Sequence, residues 1–176
     1  MTLRPEIPEA SGRGQPRRRW VVVVAIVAVA AALDQITKAM AQAWLPPHTL
    51  QLLGDTVRLA LSENVGAFLS LGASLSPALR FWIFTVASGG MLLIVALYLV
   101  SSDELPPDVV VALSFVVGGG VGNLIDRITR EGRVVDFLNF GIGNLRTGIL
   151  NVADIFITFG ALYVMWSALR SGHEDK

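Results

Sequence analysis

RRRWVVVVAIVAVAAALDQITKAMAQAW, residues 17–44, sets three arginines and a tryptophan ahead of thirteen apolar residues, then runs on through a short polar patch to a second tryptophan. Its first half has the basic and apolar regions of a secretory signal peptide. The helical composition does not stop there: it continues through Asp34-Gln35-Ile36-Thr37-Lys38 to Trp44, and tryptophans bracket the segment as interfacial anchors do. The stretch therefore reads as a retained transmembrane helix over about residues 20–44.

Working outward, three further apolar segments run from Phe81 to Val100, from Val109 to about Ile125, and from Ile149 to Leu169. Each is near the roughly 20 helical residues that cross a hydrocarbon core. Ser76-Pro77 supplies a cap and a first-turn proline ahead of the second, and the polar turn from Ser101 to Asp108 separates the second from the third. Four spans put both termini on one side of the membrane. The Lys and Arg residues divide evenly, seven to a side, so their total does not orient the chain. The triple arginine beside the first helix does, and it places both termini in the cytoplasm, with the segments Leu45 to Leu79 and Asp126 to Gly148 outside. Short apolar runs in those segments, such as Val57-Arg58-Leu59-Ala60-Leu61, predict small strands at the membrane surface.

The expected fold is thus an all-α polytopic membrane protein with four transmembrane helices and a small extracytoplasmic region containing β-structure. Residues 17–170 form one membrane domain. Residues 1–16 mix Pro, Gly, Glu, Arg and Ser and read as a disordered tail, with a second short tail over 171–176.

Composition agrees: 53% of the 176 residues are apolar and only 16% are charged. A formal net charge of zero gives no basic surface for nucleic acid. Cysteine is absent, which removes disulfides, thiolate metal sites and a cysteine nucleophile.

The informative residues are those that lipid disfavours. An ionisable group inside a span costs about 2.5–3.5 kcal/mol on insertion scales, so it needs a partner or a task. Asp34, Asp126, Asp136 and Asp154 qualify. Asp34 lies one turn from Lys38, and that i,i+4 spacing supports an ion pair. Asp126 is followed by Arg127 and preceded at helical spacing by Asn123, which fits an orienting role. Asp154 has only Asn151 and Thr158 as polar neighbours one turn away and lacks a local counterion. Asp136 follows Arg133 by three residues, an offset that in an extended segment points the two side chains to opposite faces, and the residues themselves leave its role open.

Two carboxylates meeting in a low-dielectric site cannot both ionise easily, so one keeps its proton and the pair offers an acid and a base together. That is aspartic-protease chemistry, and it requires no metal or other cofactor. Other chemistries fit less well. A serine triad needs a histidine base, yet His173 lies in the polar tail and His48 stands alone after Pro46-Pro47. The run Gly118-Gly119-Gly120-Val121-Gly122 lacks the Lys-Ser or Lys-Thr of a phosphate loop and reads as close helix packing. From a different class, a small transporter or proton relay would also bury acids, but such folds carry repeats and broken helices. An inactive scaffold paralogue would have no need of both aspartates.

Five blocks, in order, resemble those of the bacterial lipoprotein signal peptidases, or signal peptidase II. They are Asp34 to Lys38; Glu63-Asn64-Val65-Gly66-Ala67-Phe68-Leu69-Ser70; Gly118 through Asn123-Leu124-Ile125-Asp126-Arg127; Val134-Val135-Asp136-Phe137; and Asn151-Val152-Ala153-Asp154. Two details depart from the family pattern: many members have Gly-Ala-Ala-Phe-Ser in the second block, and phenylalanine is common at the position of Leu150. The resemblance implies that Asp136 and Asp154 are the catalytic dyad. It implies that Asp34, Lys38, Asn64, Gly66, Asn123, Asp126, Arg127, Asn151 and Ala153 shape the site or support substrate and inhibitor binding. It further implies a prolipoprotein substrate with a diacylglyceryl cysteine, cleaved just before that cysteine, contact with membrane lipid, inhibition by the cyclic peptide globomycin, and residence in the bacterial cytoplasmic (inner) membrane.

Overall fold

The computed structural model describes residues 16–66, 72, 74–102 and 104–174, with side chains described from 19 to 171 within them. The expected tail before Pro16, and Ala67-Phe68-Leu69-Ser70 of the second sequence block, lie outside the described residues, as do the last two residues of the chain. Pro16 itself, expected in the tail, is the first residue of helix α1, where its missing N–H and fixed φ cost nothing.

Helix α1 spans Pro16–Trp44; strands β1 (Leu50–Leu52) and β2 (Val57–Asn64) follow; then come α2 (Pro77–Phe81), a π-helical stretch (Trp82–Ala87), α3 (Ser88–Ser101) and α4 (Pro107–Thr129). Strands β3 (Val134–Ile142) and β4 (Leu145–Arg146) lead into α5 (Val152–Glu174). Four segments are long and apolar enough to cross a membrane: Arg19–Trp44, Pro77–Ser101, Pro107–Thr129 and Val152–Ser171. Their outer faces carry large exposed apolar side chains such as Val24, Met91, Leu97 and Phe159, as surfaces in contact with lipid do.

The fourth helix begins three residues later than the apolar run suggests. Leu150 is bridged to Leu138 of β3, and Asn151 caps the helix: its side-chain oxygen accepts from the Asp154 N–H at 3.0 Å, while the Asp154 carboxylate accepts from the Asn151 N–H at 3.2 Å. This reciprocal capping box satisfies two backbone donors that lipid could not.

Helix α4 is the central element and packs against α1, α3 and α5. The glycine run makes this possible. A Cβ on Gly118 would lie 2.6 Å from that of Ala30 in α1, one on Gly119 would lie 2.6 Å from the Ala153 carbonyl oxygen in α5, and one on Gly122 would lie 2.5 Å from an Asp34 carboxylate oxygen. Absent side chains let α1 and α5 close on α4. At one end of the bundle the strands form a single antiparallel sheet in the order β1-β2-β3-β4, with Asn64 opposite Val134 and Ser62 opposite Asp136. That register brings the end of β2 beside the start of β3, over the ends of α1 and α4 and the first turn of α5.

Candidate active site

Four aspartates converge where the sheet meets the bundle, and they form two pairs. Asp34 and Asp126 share Lys38: its ammonium lies 2.7 Å from one carboxylate and 3.0 Å from the other, and all three side chains are buried. Further donors complete the arrangement. The Ala153 N–H donates to Asp34 at 3.0 Å, the Val135 N–H donates to Asp126 at 3.0 Å, and Gln35 donates to Asp126 at 3.2 Å and to the Gly122 carbonyl at 3.1 Å. Arg130 approaches Asp126 from the edge at 3.4 Å. The Asp34 and Asp126 carboxylates thus fasten α1 and α4 to β3 and to the open first turn of α5.

Among the described residues, no cation forms an ion pair with Asp136 or Asp154; Lys38 and Arg127 act on them only at longer range. Asp136 accepts from the Asn64 amide at 3.0 Å and the Asn151 amide at 2.7 Å. Asp154 accepts from the Asn123 amide at 3.1 Å and the Asn151 backbone N–H at 3.2 Å. One residue, Asn151, therefore holds both carboxylates. The two pairs also touch through Asn123, whose oxygen accepts from Lys38 at 2.9 Å and from Asn151 at 3.0 Å. With its oxygen so occupied, the Asn123 amide must turn its NH₂ toward Asp154. Burial pushes the Asp136 carboxyl up to about 6, against the hydrogen bond from Asn64 and with help from the neighbouring charge of Asp154.

Both carboxylates line a cavity of about 640 Å³ together with Asn64, Asn123 and Arg127. Away from this polar end its walls are mostly apolar: Phe84 of the π-helical stretch and Met91 on α3, Val116 and Leu124 on α4, Ile157 and Leu162 on α5. The result is a slot between α3 and α5, floored by α4, with the acids at one end. Arg127 donates to the Gly66 carbonyl at 3.1 Å, and the Gly66 N–H donates to the Asn64 side chain at 2.9 Å. These bonds tie the segment after β2 to α4 at the polar end of the slot.

The site residues that the resemblance singled out thus fall in one connected network. Asp126 pairs with Lys38 and Arg130, while its neighbour Arg127 faces a different direction and reaches Gly66. Asn151 lies fully buried behind the carboxylates. Gln35 and the pair of Arg130 with Gln42, at 2.9 Å, went unassigned in sequence, although an amide inside an apolar span was the available signal for Gln35. Among the described residues, no three His, Cys, Asp or Glu side chains gather as a metal-holding group.

The fold and site define a class: a polytopic membrane protein with two carboxylates, one buried and one half-buried, at the end of an intramembrane slot. The family model described as Signal peptidase (SPase) II matches residues 26–170, and the chain belongs to the signal peptidase II family, a family of hydrolases. It is 33% identical over 156 residues to a lipoprotein signal peptidase of Treponema pallidum, covering 85% of this chain and 83% of the relative. With one of Sphingopyxis alaskensis the identity is 35% over 172 residues, covering 93% of each. A solved bacterial membrane enzyme, determined by the in meso method, superposes with a TM-score of 0.76 at 23% identity, over 89% of this chain and 92% of that one. At that identity the likeness is one of fold.

Proposed function

We propose that this chain is a lipoprotein signal peptidase that works as an aspartic endopeptidase, with Asp136 and Asp154 as its catalytic dyad. The observation that carries the reading is the double hold of Asn151 on two carboxylates lining one cavity, with amides and no cation between them. The pair retains one proton and titrates as a unit. The ionised carboxylate takes a proton from water as the water oxygen attacks the scissile carbonyl; the protonated carboxyl donates to the carbonyl oxygen. Collapse of the tetrahedral intermediate breaks the C–N bond, and the proton taken from water passes to the leaving nitrogen, which becomes the new amino terminus.

The substrate is a prolipoprotein whose cysteine carries diacylglycerol, cut just before that cysteine. Its acyl chains hold the cysteine near the bilayer surface, and its signal helix lies along the apolar slot, so that binding supplies proximity. Globomycin competes for the same slot. The triple arginine at residues 17–19 favours cytoplasmic termini and a dyad near the outer face of the inner membrane. In detergent, the purified chain should cleave a diacylglyceryl-modified prolipoprotein, and its Asp136→Asn and Asp154→Asn variants should not. Failure of a folded, lipid-supplied parent to cleave would overturn the proposal.

A further inference from the structure

Thr158 lies on α5 one turn after Asp154, lines the slot and is exposed. Other hydroxyls in the helices turn back on their own chain: Thr37, Ser88, Ser114 and Thr129 each donate to the carbonyl four residues earlier, at 2.5–2.8 Å. The Thr158 hydroxyl makes no hydrogen bond to any described residue. Away from the acids, the described side chains of the slot that can donate are Ser88 and Thr158, and Ser88 is engaged with the Phe84 carbonyl at 2.5 Å. The remaining donors that line the slot stand at the acid end. There the amides of Asn64 and Asn123 hold Asp136 and Asp154, and Arg127 holds the Gly66 carbonyl.

A signal peptide creates a demand for such a donor. The apolar walls of the slot accept a helix, whose backbone groups are satisfied internally. The bond to be cut cannot lie inside that helix, because its carbonyl would be hydrogen-bonded along the axis and its faces covered by the adjoining turns. The chain must therefore leave the helix before it reaches the acids. A helix that ends leaves its last four carbonyls without intrahelical partners. At an aqueous surface water satisfies them, but against apolar walls an unpaired carbonyl is costly. Asp154 and Thr158 are separated along α5 by a rise of about 6 Å. An extended chain covers about 3.3 Å per residue, so the hydroxyl stands about two substrate residues away from the acids.

We propose that the Thr158 hydroxyl donates to a main-chain carbonyl of the signal peptide about two residues before the scissile bond. It holds the end of the signal helix in register with the dyad and favours a chain that is extended at that depth. Every sequence presents a main-chain carbonyl, so Thr158 selects backbone conformation and not side chains. The inference rests on the peptidase reading and adds a substrate-positioning residue to it.

The test is steady-state cleavage of diacylglyceryl-modified prolipoprotein peptides by the full chain. Thr158→Val keeps the shape and removes the hydroxyl. It should lower kcat/KM about tenfold, the scale of one hydrogen bond, with the loss in KM and kcat nearly unchanged. Thr158→Ser should recover most of the loss. An ester in place of one of the three peptide bonds before the scissile one weakens that carbonyl as an acceptor. At one of these positions the ester should slow the parent several-fold and leave Thr158→Val unaffected, because the two changes remove the same contact. An unchanged kcat/KM in Thr158→Val, a loss confined to kcat, or equal ester effects in parent and variant at all three positions would each overturn the proposal. So would a parent indifferent to every ester, whether or not the valine variant folds. A parent that cleaves no peptide at all would overturn the peptidase reading, and this inference with it.

Discussion

Asp34 and Asp126 on one side, and Asp136 and Asp154 on the other, are two pairs of aspartates joined through Asn123, yet they are compensated in opposite ways. The first pair has a buried cation, Lys38, within 3.0 Å of both carboxylates. Among the described residues, the side chains that donate to the second are amides, Asn64, Asn123 and Asn151. Lys38 bridges both carboxylates and Arg130 adds a second positive charge at 3.4 Å from Asp126, so the first pair is ion-paired and serves as a clamp. An amide orients a carboxylate without supplying a full charge, so the second pair must settle its charge through protonation. Charge balance rather than burial separates the two, because both Asp34 and Asp136 are hidden from solvent.

The largest effects should come from the pair that lacks a cation. Asp136→Asn or Asp154→Asn should lower single-turnover cleavage by about 10⁴-fold, the upper range for positioned acid–base groups. The double variant should be little worse than either single one, because residues acting as a unit are not additive. In the same preparations thermal stability should not fall, since each substitution removes a carboxylate held by amides rather than by an ion pair and so strands no contacting cation. A double variant whose loss is the product of the single losses would break the notion of a shared proton.

Lys38→Met inverts the pattern. It strands two buried carboxylates and should destabilise the detergent-solubilised protein by about 3–5 kcal/mol, read as a lowered unfolding temperature and a poor folded yield. Adding Asp34→Asn and Asp126→Asn should recover much of that stability. If the triple variant is as unstable as Lys38→Met alone, the first pair is not a clamp of balanced charge. Because Lys38 also fixes the Asn123 oxygen, the rescued variant should still cleave poorly, through a misdirected amide at Asp154.

The clamp was partly legible in the sequence. Asp34 and Lys38 meet through i,i+4 spacing, which is local. The share of Asp126 in the pair was not, because it depends on α1 and α4 closing across Gly118 and Gly122, where tertiary contact and not spacing sets the distance. The position of Asp154 was legible in principle: Asn-x-x-Asp before an apolar run is a capping signature. Read as mere helical neighbours, Asn151 and Asp154 conceal that the cap starts the helix later and leaves Asn151 free to reach Asp136. The union of Asp136 with Asp154 also depends on the pairing of β2 with β3, whose partners lie some seventy residues apart in sequence.

Stability against pH offers a smaller test on Asp136 alone. Its carboxyl stands at about 6 in the folded chain against an ordinary 3.8, so between those values the folded state binds more protons than the unfolded. Stability should be fully present below about pH 4 and decline as pH rises through 6. A two-unit shift sets the decline at about 3 kcal/mol at most. Asp136→Asn should flatten that part of the unfolding-temperature profile, and an unchanged slope would assign it to another group.

The smallest expected effect is the most discriminating, because it moves a proton without removing a carboxylate. Asn64 donates to Asp136, and a donor to a carboxylate favours its charged form. Loss of that bond in Asn64→Ala should raise the Asp136 value, and a charge-assisted bond of about 1.5 kcal/mol corresponds to roughly one unit. The form competent for cleavage carries one proton on the pair, so kcat/KM should fall on the alkaline side as that proton leaves, near pH 6 in the parent and near 7 in the variant. The limb in kcat should lie higher in both, because a bound signal helix removes further water from the carboxyls. A merely structural role for Asn64 would lower the whole profile without shifting its limb. A limb unmoved by Asn64→Ala would put the titrating proton elsewhere, and the distinction between a pair neutralised by lysine and a pair left to share a proton would fail at its most exposed point.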